Sequence, residues 1–185
     1  MGTGTIIAIV IAIIVVLAII GVVMWTSRRR ETNSLRERFG PEYDRTVSQV
    51  GDEGEAGSLL KERVKRVETL NIVPLSYKDR EQYSTQWRDV QAEFVDDPAS
   101  AVSHADGLVQ EVMAKRGYPV GDFEQRADDI SVNHPDMVEN YRAGHEIAMR
   151  QENGDASTED LRQAMVHYRA LFEALLRPET ADMAQ

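Results

Sequence analysis

The hydrophobic positions of this chain fall into two unlike patterns. From Ile6 to Trp25 every residue is apolar. At 1.5 Å rise per residue, twenty residues make a helix of roughly 30 Å, the thickness of a bilayer's hydrocarbon core. This run predicts a transmembrane helix over residues 5–26, preceded by a short extracytoplasmic segment, 1–4. Behind it the apolar residues recur at helical spacing instead. Leu35, Phe39, Tyr43, Val47 and Val50 form one series, broken by Gly40-Pro41, so two short helices should meet at Gly40. Leu60, Val64, Val67 and Leu70 form a seam on a further helix, too short for a coiled coil and expected to pack against the domain. Residues 27–75 thus read as a basic collar and a juxtamembrane helical stalk, with Gly51, Gly54 and Gly57 among carboxylates as a flexible hinge.

Residues 76–177 carry the strongest periodicity and read as a helical domain. Ser76 can cap a helix with the stripe Tyr83, Trp87, Val90 and Phe94. Asp97-Pro98 opens a second, carrying Val102, Ala105, Leu108, Val109 and Val112 and stopped by Gly117. Asp122 with Gln125 resembles a capping box for a short third helix reaching about Ile130. His134-Pro135 starts a fourth, with Val138, Tyr141, His145 and Met149 on one face. Ser157 starts the last, through Leu161, Met165, Tyr168, Phe172 and Leu175. Residues 178–185 read as a disordered tail. No alternating run suggests a strand. The expected fold class is all-α: one N-terminal transmembrane helix, juxtamembrane helices, then a small bundle of four or five helices.

Charge sharpens the topology. Residues 1–27 hold no charged side chain, so the formal net charge of −10 belongs wholly to the rest of the chain. Arg28, Arg29 and Arg30 follow Trp25 as a stop-transfer signal with an interfacial aromatic anchor, and Arg36 and Arg38 come soon after. By the positive-inside rule, the soluble part belongs in the cytoplasm and the N-terminus outside. A cleaved signal peptide would need a basic start and a shorter apolar stretch. Gly4, Ala8 and Ala12 form a small-residue ridge on which two membrane helices can approach, a route to a homodimer. The acidic balance speaks against nucleic-acid binding, and without cysteine there is no disulfide framework.

Four phrases, Arg38-Phe-Gly-Pro-Glu-Tyr-Asp-Arg45, Phe94-Val-Asp-Asp-Pro98, Gly117-Tyr-Pro-Val-Gly-Asp-Phe-Glu-Gln-Arg126 and His167-Tyr-Arg-Ala-Leu-Phe172, resemble a family of uncharacterised single-pass bacterial membrane proteins with an acidic helical domain. That resemblance covers nearly the whole chain behind the apolar run. It implies an inner-membrane location, but no activity, cofactor or site.

Catalytic motifs are scarce. His145-Glu146 begins a zincin pair, but Met149 stands where the second histidine belongs. No nucleophile elbow, phosphate loop or dinucleotide fingerprint occurs, so no catalytic, cofactor or metal residue is assigned. The stretch 117–145 is the densest in chemistry. Asp122, Arg126, Tyr141 and His145 could converge on a polar pocket capable of acid–base work or ligand binding. The simpler reading makes Asp122 a cap, Arg126 half of an ion pair, and Tyr141 and His145 core residues with satisfied tips. Two functions therefore stand: a membrane-tethered, non-enzymatic interaction or adaptor domain, or a small membrane-bound enzyme or ligand sensor using residues 117–145.

Overall fold

A computed structural model describes the backbone of residues 3–178, with side chains described for 16–27 and 29–178. Eight α-helices follow one another in it: α1 (Thr3–Phe39), α2 (Pro41–Val50), α3 (Glu53–Glu68), α4 (Tyr77–Glu93), α5 (Pro98–Arg116), α6 (Phe123–Asn133), α7 (Pro135–Glu152) and α8 (Thr158–Leu176). No strand occurs among the described residues. The all-α class is therefore observed, and the part behind residue 76 has five helices.

Local chemistry sets the boundaries. Ser76, Asp97, Asp122 and Ser157 each accept a hydrogen bond from the backbone N–H three residues on, filling a donor that the first helical turn leaves open. The reciprocal capping box forms at Ser157 and Asp160. Gly40 takes φ +52°, a conformation that side chains resist. It lets α1 end and Pro41 begin α2 with no break between them. α6 runs to Asn133, three residues past the expected end, because His134 N–H still reaches the Ile130 carbonyl at 2.8 Å.

Two apolar cores hold the helices. In the larger one, α8 packs against α5 and α7, burying Val102, Val109, Ile130, Tyr141, Tyr168, Leu171 and Phe172. Gly144 permits the tight approach of α7 to α8: a Cβ there would lie 3.3 Å from the Tyr168 ring. The smaller core gathers Leu35 and Phe39 of α1, Tyr43 of α2, Leu60 and Val67 of α3, and Val132 of α6. Ile72 packs against both.

The helix bearing the Leu60 to Leu70 seam packs against the domain as expected, and the end of α1 and α2, expected as a stalk, join it in that second core. The end of α1 together with α2 and α3 lies against α6 and α7, inside the folded body. The expected glycine hinge also differs. Gly51 and Asp52 form a two-residue corner, with Asp52 capping α3 through the Glu55 N–H at 2.8 Å. Gly54 and Gly57 lie within α3, and Gly57 is buried against Leu35. A carboxylate-rich glycine segment reads as flexible because glycine is a weak helix former. Here the cap and the packing on α1 outweigh that preference.

Among the described residues no helix is long and apolar enough to cross a membrane. The expected span, 5–26, falls on α1, whose side chains are described only from Val16 onward. Gly4, Ala8, Ala12 and the side chain of Arg28 lie outside the described residues, as do residues 179–185 of the tail. Within the described part, Leu17, Val22 and Trp25 are each about 60% exposed, while Leu35 and Phe39 at the other end of the same helix are buried. Arg29 folds back over the Trp25 ring, 5.0 Å from its centroid.

Candidate functional site

The four candidate residues do not share one pocket. Asp122 remains at the surface as the α6 cap, its Oδ1 accepting from Gln125 N–H at 2.9 Å. Arg126 is buried: its Nε donates to the Tyr141 hydroxyl at 3.0 Å, and Nη1 donates to the Gly121 carbonyl. The Arg126 partner is thus a phenol, not the expected acid. Tyr141 is fully buried. Burial pushes its hydroxyl pKa up to about 12, against the opposing pull of the Arg126 hydrogen bond. It is a core residue with a satisfied tip.

His145 is different. Its ring lies flat on Phe123, centroids 3.6 Å apart and planes 11° apart, and it is half-buried. Desolvation lowers its pKa below the usual imidazole value, partly countered by the Asp106 carboxylate. The other face of this region opens onto a cleft of about 400 Å³ between α5 and α7, lined by Ser103, Asp106, His145, Met149 and Glu152 among others. Asp106 was not singled out in the sequence, yet it is the cleft's most telling group. Its Oδ2 accepts from Gln110 Nε2 at 2.6 Å, while Oδ1 is buried without a well-formed hydrogen bond. The buried Tyr168 hydroxyl faces that carboxylate, and its pKa is raised by burial and by Asp106. A charged residue one place beyond Ala105, at the edge of the α5 stripe, was the available signal.

A second polar cluster joins α7 to α2, α3 and α6. Glu42, fully buried, pairs with Arg63 at 2.8 Å, Arg142 at 3.2 Å and Arg45 at 3.4 Å. Asp128 joins the same two arginines, Arg63 at 2.8 Å and Arg142 at 3.3 Å, and burial raises its pKa despite them. Asp129 holds Arg66 at 2.7 Å. This network ties α2, α3, α6 and α7 together. With its charges spent on one another, it is structural rather than a ligand site.

Among the described residues no group of three or more His, Asp or Glu side chains is placed to hold a metal ion. The class defined by fold and site is an all-α bundle with a polar cleft between α5 and α7. No family model, curated protein or solved structure matches the chain.

Proposed function

We propose that this chain is a single-pass membrane protein of the kind its motif phrases resemble, with residues 5–26 as the anchor in a bacterial inner membrane. Its helical body is a non-enzymatic adaptor presented to protein partners at the cytoplasmic face. The observation that carries this reading is α1. One unbroken helix bears exposed Leu17, Ile20, Val23 and Trp25 at one end and core residues Leu35 and Phe39 at the other. A soluble protein would gain by covering such an apolar surface, and nothing among the described residues covers it. Trp25 and the arginines after it suit the headgroup layer on the cytoplasmic side.

The continuity of α1 replaces a flexible tether with a stiff one. From Trp25 to Leu35 is ten residues, about 15 Å of helix, so the body stands at a set height below the bilayer. Arg28 to Arg38 carries five arginines against Glu31 and Glu37, which leaves a formal −13 on residues 39–185. That charge favours basic partners and disfavours docking on an anionic lipid surface. A homodimer through Gly4, Ala8 and Ala12 is compatible with the anchor.

The test is extraction and topology. The protein should stay with membranes through alkaline carbonate, and a reporter fused after Gln185 should be active only if it works in the cytoplasm. Release by carbonate, or a reporter active only outside, overturns the reading. The alternative, a small membrane-bound enzyme or ligand sensor, is favoured by one observation, the cleft beside His145.

A further inference from the structure

We propose that the cleft between α5 and α7 binds a small organic cation, a primary alkylammonium, with Asp106 as its counter-ion. The cleft holds about 400 Å³, the low end of the range that small-molecule sites occupy. Its charged walls are of one sign: Asp106 and Glu152 line it, and no lysine or arginine does. Neither carboxylate forms an ion pair with a lysine or arginine among the described residues, although Arg pairs abound elsewhere in the body. Arg126, near His145, is turned away to Tyr141 and Gly121. His104 at the rim is turned to Glu93, at 2.7 Å.

A partly buried carboxylate without a cation costs stability unless something supplies the missing charge. An ammonium brings three donors. Asp106 Oδ1 is buried toward the Tyr168 hydroxyl, but Oδ2 keeps a second lone pair beyond the one given to Gln110, and Ser103 adds a hydroxyl oxygen. The His145 ring makes no hydrogen bond of its own. Stacked on Phe123, it offers the alkyl chain a flat wall and the ammonium a neutral nitrogen acceptor. A diamine fits better than a monoamine, since exposed Glu152 stands at the mouth as a second anion.

This site deepens the sensor reading and is independent of the anchor, so carbonate extraction and ligand binding succeed or fail separately. The probe is 1,4-diaminobutane, titrated at constant ionic strength into the full chain in nonionic detergent micelles. Binding is followed by calorimetry and by the His145 imidazole NMR signal. Butanedioate, of equal length and opposite charge, is the control. The expected result is saturable, one-site diamine binding that shifts the His145 signal, with no response to butanedioate. Asp106→Asn keeps the shape and removes the charge, and should weaken binding about tenfold or more. Met149→Trp, at the exposed rim, should block the cleft without disturbing the core, and decides the matter if the Asp106 variant loses its helical circular dichroism. Absence of saturable binding overturns the proposal. So does diamine binding that both folded variants retain, or that butanedioate reproduces.

Discussion

Glu42 and Arg142 are one hundred residues apart in the chain and 3.2 Å apart in space. Their contact joins α2, which follows directly on α1, to α7, which lines the cleft. Glu42 is fully buried, and Arg63 and Arg45 complete its shell. Removing one partner of such a pair strands the others in a low-dielectric setting. Glu42→Ala should therefore cost about 3 to 5 kcal/mol in chemical denaturation. Replacing Glu42 and Arg142 together by Met should cost less than the sum of the two single changes. Additive losses would mean that the two charges do not feel each other.

Gly117 and Gly107 offer a paired test of backbone strain. Gly117 ends α5 at φ +99°, and a Cβ there would collide with the Asn71 carbonyl oxygen. Gly107 is helical, with nothing within 4 Å of where its Cβ would sit. Gly117→Ala should lower the melting temperature, whereas Gly107→Ala should raise stability by about 0.5 to 1 kcal/mol. The opposite signs, read by thermal denaturation, check the left-handed turn.

Trp87 stacks on Phe172 across the α4–α8 contact, with centroids 4.6 Å apart. It is the one buried residue of α4, whose other stripe residues are only half-buried. Trp87→Ala should cost about 3 to 5 kcal/mol. A loss under about 1 kcal/mol would show that α4 contributes little to the fold.

His145 should report pH. Burial lowers its folded-state pKa below the unfolded value of 6.5. The sign follows: the contribution of neutral His145 is fully present above about pH 6.5 and is lost as pH falls through the folded-state value. NMR titration should find His145 protonating below the ordinary imidazole value of 6.5. Unfolding midpoints should fall between pH 7.5 and 5, and His145→Asn should flatten that slope. An equal or higher titration midpoint for His145 would contradict its burial against Phe123.

The helices were legible in the sequence because their causes are local. Ser76, Asp97, Asp122 and Ser157 cap by reaching three residues along their own chain, and the stripes through Trp87, Val109 and Tyr168 need only a period of 3.6. Gly40-Pro41 and Gly117 punctuated correctly for the same reason. Periodicity says which face of a helix is buried, but not what it is buried against. So the end of α1 and α2, read as a stalk, share a core with α3 and with Val132 of α6. The candidate site divided on the same principle. Asp122, Arg126, Tyr141 and His145 are neighbours in sequence, yet a buried phenol claims Arg126 while His145 points to another wall. Asp106 and Glu42 passed unremarked because a carboxylate on a helix is usually solvated. Only helix packing, which brings α5 to α7 and α2 to α7, left one of them facing a cleft without a cation and enclosed the other among three arginines.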